Sequence, residues 1–203
     1  GLLGVAFFLP AWFWLPAPAA VSAHAAASQP AAPAKRWMWL FIAAYFCAGF
    51  GYVISATFIV AIVDKLPGLQ GQGALAFLAI GLAAAPACIN WDFIARYIGD
   101  LNALILAALL QIVGIVLPVA VGGLIPTLFG ALLFGGTFIG MVSLVLTMAG
   151  RYYPTRPAKM MGKMTISYGA AQIIGPAVVG WLATRLGDYS IGLYLAGGMM
   201  VVG

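Results

Sequence analysis

Asn90-Trp91-Asp92-Phe93-Ile94-Ala95-Arg96-Tyr97-Ile98-Gly99-Asp100 is the stretch that decides the fold, because it gathers three charged residues in a chain with only nine basic and four acidic ones among 203. A long apolar run lies on each side of it. The pattern predicts a short charged reversal, a hinge between two membrane spans, where an otherwise lipid-like polymer meets water.

Composition points the same way. With 65% apolar residues, 6% charged, no glutamate and a mean hydropathy of +1.10, the chain has too little polar surface to coat a soluble globule. The expected class is an all-α integral membrane protein, counted in spans of about 20 apolar residues each. The net charge of +5 does not imply nucleic acid. Its basic residues sit in loops between apolar runs, as a cytoplasmic loop bias places them.

Working outward from the hinge, spans are expected over 73–91 and 101–121, the second closed by a Gly122-Gly123 turn. Before them come a span over 37–63 and a reversal over 64–72; after them, spans over 124–148 and 160–183. The first of these, 27 residues, reaches about 40 Å at 1.5 Å per residue, enough to cross with tilt. Between the last two lies the most basic loop, Arg151 to Lys159, with Pro157 suited to a helix start. Residues 190–203 read as a span that stops in mid-membrane, and 1–16 as the end of another. Residues 17–36, rich in Ala, Pro and Ser, read as a linker. A signal peptide is the competing reading, since Val21-Ser22-Ala23 resembles a cleavage site, but a charged n-region and an initiator Met are missing.

Orientation follows from counting positive charges in alternating loops. Lys35, Arg36, Arg96, Arg151, Arg156, Lys159 and Lys163 fall on one side, and Lys65 and Arg185 on the other. That bias places the linker and the basic loop, 149–163, in the cytoplasm. The signal-peptide reading would strand both outside.

Chemistry-bearing residues are sparse. Cys47 and Cys88 lie inside spans without metal or redox spacing and read as packing thiols, and His24 sits alone in the linker. No span carries a carboxylate or imidazole in its core, so neither a catalytic centre nor a metal or cofactor site is expected, and an enzyme is disfavoured.

The hinge resembles the degenerate second copy of the cytoplasmic loop motif of the major facilitator superfamily, Gly-x-x-x-Asp-Arg/Lys-x-Gly-Arg/Lys-Arg/Lys. Asp92 and Arg96 match, whereas Cys88, Phe93, Ala95 and Tyr97 depart from it. Residues 91–96 and 99–104, with Leu133-Phe134-Gly135-Gly136-Thr137-Phe138-Ile139-Gly140 and Gln172-Ile173-Ile174-Gly175-Pro176, are similar to the bacterial YbfB/YjiJ-type branch. The resemblance implies a bacterial inner-membrane carrier: the end of helix 6 (1–16), the central linker (17–36) and the C-terminal six-helix half, helices 7 to 12 (37–203), the last one truncated. It also implies an absent N-terminal half as partner, a small-molecule substrate, and Asp92, Arg96 and Gly99 as a gating motif.

Such carriers contain triplets of helices in inverted repeat, with interrupted helices at equivalent places. Gly49 and Gly51 in one triplet correspond to Gly135, Gly136 and Gly140 in the other, and Pro86 to Gly175-Pro176. Gly49, Gly51, Gly136, Gly140, Gly175 and Pro176 are therefore candidates for helix flexing, with close packing as their main role.

Polar residues at membrane depth are costly unless partnered or wetted. Tyr45, Tyr52 and Ser55 share one helical face, Thr137 lies mid-span, and Tyr168 and Gln172 share another face. The resemblance assigns their helices, the seventh, tenth and eleventh, to the wall of a substrate cavity; interhelical hydrogen bonds are the alternative. For Gln111, on the ninth helix, the interhelical bond is the expectation. Lys159 and Lys163 sit at a helix start where the dipole disfavours cations, so an anionic lipid head group or Asp92 is expected to compensate them.

The expected function is a secondary active or facilitative transporter of a small solute, working by rocking of two six-helix halves. The alternative is a membrane scaffold or receptor that keeps the carrier fold. The residues present leave the substrate and proton coupling undecided.

Overall fold

A computed structural model describes residues 33–65, 68–154, 156–187 and 190–203. The span end expected over 1–16, nearly all of the linker and His24 lie outside the described residues. The described chain is helical and, among those residues, contains no strand: α1 (Lys35–Lys65), α2 (Gly73–Ala84), α3 (Ala87–Ile98), α4 (Asp100–Ala120), α5 (Leu124–Tyr152), α6 (Pro157–Leu186) and α7 (Ser190–Val202). Helices α1, α4, α5 and α6 are each long and apolar enough to cross a membrane, and α2 with α3, bent by 49° at their junction, are so when taken together as one span.

The expected hinge differs from what forms. Residues 90–98 are not a loop: α3 continues through them to Ile98, and Gly99 alone separates it from α4. Nothing between Ala87 and Ile98 breaks a helix, and Trp91 and Ala95, one turn apart, are buried on one face. The break comes earlier, at Ala85-Pro86. Proline has no N–H to donate to the Leu82 carbonyl and its ring crowds the preceding turn, so the span kinks there. The reversal at residue 99 is abrupt because Gly99 takes a φ of 88°, open to glycine and strained for other residues.

The other helix limits follow sequence chemistry. Gly122 and Gly123, with φ of 70° and 81°, make the turn from α4 to α5. Pro157 opens α6, and Gly187, at a φ of 72°, closes it in a left-handed cap whose N–H donates to the Ala183 carbonyl.

Helix packing follows the inverted repeat. Taking α1, the bent α2–α3 span and α4 as one triplet and α5, α6 and α7 as the other, the first helix of each packs chiefly on the second and third helices of the other. Thus α1 lies on α6 and α7, while α5 lies on α2, α3 and α4. An edge-to-face contact of the Trp37 and Tyr152 rings and an ion pair of Asp100 with Arg151 put the start of α1, the start of α4 and the end of α5 at one end of the bundle. At the α2 start, the Gly73 N–H donates to the Asp64 Oδ1 at 2.9 Å.

Glycines permit the closest of these approaches. A Cβ on Gly135 would collide with the Ile80 carbonyl of α2, and one on Gly140 would collide with the Trp91 indole of α3. The indole lies in the notch left by Gly140, and its Nε1 donates to the Gly136 carbonyl at 2.6 Å. On the other side of α5, Gly114 and Gly130 bring the backbones of α4 and α5 together: a Cβ on Gly114 would sit 2.9 Å from the Gly130 carbonyl.

This seat makes a prediction. Gly140→Leu should lower the stability of the detergent-solubilised protein by about 1–3 kcal/mol, the usual cost of overpacking a filled site. Adding Trp91→Ala should cost less than the sum of the two single changes, since the first already expels the ring. Strictly additive losses in a melting-temperature cycle would show that the indole does not occupy the notch.

Candidate functional site

Five aromatic rings form a continuous ladder between α1, α6 and α5. The Tyr168 ring lies 4.7 Å, centroid to centroid, from Tyr45 and 5.8 Å from Tyr52. Tyr52 in turn stacks on Phe138 at 4.8 Å and on Phe134 at 6.2 Å. The ladder exists because Tyr45 and Tyr52 fall on one face of α1 with Gly49 between them. A Cβ at Gly49 would meet the Tyr168 ring at 3.0 Å, so the bare glycine is what lets α6 lay that ring between the two tyrosines. On α5, Phe134 and Phe138 are one turn apart and present parallel rings, 5.5 Å between centroids and 18° between planes.

No hydrogen bond ties the hydroxyls of Tyr45, Tyr52 or Tyr168 to the described residues. Tyr45 is buried, whereas Tyr52, Tyr168 and Gln172 are half-buried at the edge of the helix contacts. Ser55 is buried and its Oγ has no partner among the described residues. Thr137 is also buried, but its hydroxyl is turned back on its own helix, within 2.8 Å of the Leu133 carbonyl and 3.1 Å of the Phe134 carbonyl. Of the six polar candidates, the structure thus brings Tyr45, Tyr52 and Tyr168 into direct contact. Thr137 is next in sequence to Phe138 at the ladder's end, and Ser55 and Gln172 stand one turn beyond Tyr52 and Tyr168.

Gln111 corrects an expectation. It is 1% exposed, yet no hydrogen bond joins it to another helix and its Oε1 is left without a partner among the described residues. The buried face of α4 on which it sits is built from Ala103, Ala107, Gly114, Ile115 and Pro118, which serve close packing and offer no polar side chain.

A mainly apolar cavity of about 340 Å³ lies beside the ladder's Tyr45 end, walled by Phe41 and Ala48 of α1, Ala108 and Ile112 of α4, and Met141 of α5. Among the described residues no group of three or more His, Cys, Asp or Glu could hold a metal. Cys47 is buried, while Cys88 is exposed, its Sγ 4.0 Å from the Ile139 carbonyl.

The charged candidates sit at the end of the bundle where α3 meets α4. Arg96 donates through Nε and Nη2 to the Asp92 Oδ2 at 3.1 and 2.7 Å, an exposed pair one turn apart on α3. Asp92 is therefore engaged by Arg96 rather than by Lys159 or Lys163. Gly99 supplies the turn that follows. The remaining glycine candidates mark contacts: a Cβ on Gly51 would sit 2.7 Å from the Met200 side chain, and one on Gly175 would sit 2.7 Å from Val53. Pro176 lies within α6, which continues through it.

Three features escaped the sequence reading. Phe134 and Phe138 belong to the ladder, and their spacing of one turn was the available signal. The Asp100–Arg151 ion pair joins positions 51 residues apart, which no local pattern reveals. The Ser167 hydroxyl donates to the Ile42 carbonyl at 2.9 Å, pinning α6 to α1 one residue before Tyr168.

Comparison with curated proteins gives no match. The family model described as "uncharacterised MFS-type transporter YbfB" matches residues 1–203. Apolar spanning helices packed as crossed triplets, together with a match over the whole length, lead to one conclusion: this chain belongs to the major facilitator superfamily of membrane transporters, in its YbfB branch.

Proposed function

We propose that the chain forms the C-terminal half, helices 7 to 12, of an alternating-access carrier for a small solute, with α1, α5 and α6 facing the substrate path. The observation that carries this reading is the aromatic ladder: it joins those three helices, and its three tyrosine hydroxyls have no hydrogen-bond partner among the described residues. Hydroxyls left free at membrane depth need water or a ligand. In this reading Tyr45, Tyr52 and Tyr168 offer ring faces and hydroxyls to the solute, Gln172 offers an amide, and Ser55 and Thr137 complete the polar margin. A second six-helix half supplies the opposite wall.

The Asp92–Arg96 pair and Gly99 act as the gate's latch, holding α3 against its neighbours in one access state and releasing it in the other. Glycines 49, 51, 136, 140 and 175 and Pro176 let the helices slide and flex as the halves rock. The end of the bundle that carries Arg96, Arg151 and Lys159 faces the cytoplasm of a bacterial inner membrane, as the charge bias favours.

The test of function is solute uptake into proteoliposomes holding the intact transporter, screened over ring-bearing neutral and cationic solutes. A protein that binds such a solute but moves none would be a receptor or scaffold instead.

Three outcomes are expected. Tyr52→Phe and Gln172→Leu should each weaken apparent substrate affinity roughly three- to tenfold, as the loss of one neutral hydrogen bond of about 0.5–1.5 kcal/mol would. Their melting temperatures should hold; lower stability with unchanged affinity in both would make these residues interhelical glue. Asp92→Asn should slow transport while abundance and insertion stay normal, because the exposed ion pair it breaks is worth only about 0–1 kcal/mol to folding. Normal transport in that variant would reduce the pair to a topology signal. With an impermeant thiol reagent, Ala158→Cys should be modified only from the cytoplasmic side and Gly71→Cys only from outside, and labelling of Ala158→Cys in intact cells would reverse the orientation.

A further inference from the structure

Helix α3 is a short rod with a joint at each end: the 49° bend at Ala85-Pro86 precedes it, and Gly99, at a φ of 88°, follows it. Between those joints it packs chiefly on α5. Its fully buried residues are Ala87, Trp91 and Ala95, so the Trp91 indole is the one large fully buried side chain that fastens it. That fastening has two parts. The ring fills the notch at Gly140, where a Cβ would collide with it, and its Nε1 donates to the Gly136 carbonyl at 2.6 Å. Cys88, one turn earlier, adds only a contact of 4.0 Å from its Sγ to the Ile139 carbonyl.

Gly136 follows Phe134 by two residues and Gly140 follows Phe138 by two, which at 3.6 residues per turn is about 200° round the helix. The Trp91 seat and the ladder rings therefore lie on opposite faces of the same stretch of α5. Phe138 stacks on Tyr52 at 4.8 Å, so this stretch is held between an indole of α3 on one side and a ring of α1 on the other. It is also a place where α5 can bend. The Thr137 hydroxyl donates back to the Leu133 and Phe134 carbonyls, the indole N–H donates to that of Gly136, and such added donors loosen and bend a helix.

We propose that Trp91 is a positioning residue for transport: tilting of α3, which bears the Asp92–Arg96 pair on its exposed side, passes through the indole to the α5 stretch that sets Phe134 and Phe138 against Tyr52. The inference rests on the ladder and the ion pair having the roles proposed above, but the linkage itself is mechanical and is measured without a solute.

The test uses the intact transporter in lipid nanodiscs, with 4-fluorophenylalanine in place of Phe138 and, as a control, in place of Phe46 of α1, which has no part in the ladder; fluorine NMR follows both. Arg96→Gln should shift the Phe138 signal and leave that of Phe46 unmoved. In Trp91→Phe, which fills less of the notch and lacks the N–H, the same change should no longer reach Phe138. Gly140→Ala, whose methyl group expels the indole, should sever the link in the same way with Trp91 itself retained, so a Trp91→Phe chain that fails to fold does not end the test. Replacing Trp91 with 3-benzothienylalanine, which keeps the two-ring shape without the donor, should change the ratio of the Phe138 populations roughly three- to tenfold, as the loss of one neutral hydrogen bond would. An Arg96→Gln shift that is missing in the parent chain, that persists in both Trp91→Phe and Gly140→Ala, or that appears equally at Phe46 would overturn the coupling, the last because a general loosening moves both labels alike. If the link behaves as expected and Tyr52→Phe leaves solute affinity unchanged, the ladder loses its role as substrate path and the link through Trp91 stands; the reverse pair of results removes the link and leaves the path.

Discussion

The bundle depends on backbone approach at glycine. Between helices in lipid the hydrophobic effect offers little, because hydrocarbon tails are as apolar as the side chains they would replace. What remains is close contact, and α1 and α5 achieve it in matching ways. Gly49 of α1 seats the Tyr168 ring from α6, and Gly140 of α5 seats the Trp91 ring from α3. In both cases the first helix of a triplet receives an aromatic ring from the second helix of the other triplet. On the α1 side the seated ring belongs to the ladder of the proposed substrate path; on the α5 side it belongs to the segment that carries the Asp92–Arg96 pair. The two proposed working regions therefore stand on the same packing device.

Much of this was legible in the residues, for physical reasons that differ by feature. Spans followed from hydropathy, since a lipid environment admits few alternatives to a helix. The tyrosines of α1 and α6 could be picked because polar groups in an apolar run are conspicuous, and their sharing of a face follows from the helical period. Phe134 and Phe138 were not conspicuous: a phenylalanine in a lipid-exposed run looks the same as one in a ring stack. The loop expected at residues 90–98 erred because charge was read as a loop signal, whereas Asp92 and Arg96 one turn apart, over buried Trp91 and Ala95, also fit an amphipathic helix end. Gln111 shows the reverse limit. Its burial was inferable, but the polarity of its surroundings was not, because partners come from other helices.

Charge in this chain is concentrated by position rather than by amount. The Asp100–Arg151 pair ties the start of α4 to the end of α5, and the Asp92–Arg96 pair decorates α3 at the same end of the bundle. Both are exposed enough that their worth to folding is small, so their placement is better understood through the states they favour than through stability. Lys35, Arg156, Lys159 and Lys163 remain outside this pairing among the described residues.

The crossed pairing of triplets also bears on how the chain is made. The α1 face that holds Gly49 finds its main partner only when Tyr168 of α6 has emerged, about 120 residues later. At translation speeds of about 5–20 residues per second that is roughly 6–24 s. During that interval the notch lacks the ring that fills it in the finished bundle, while α5 follows directly on α2, α3 and α4, the helices it packs against. Biogenesis is thus asymmetric even though the finished repeat is not: the α5 subassembly closes first, and α1 waits in the bilayer for α6 and α7 to complete it.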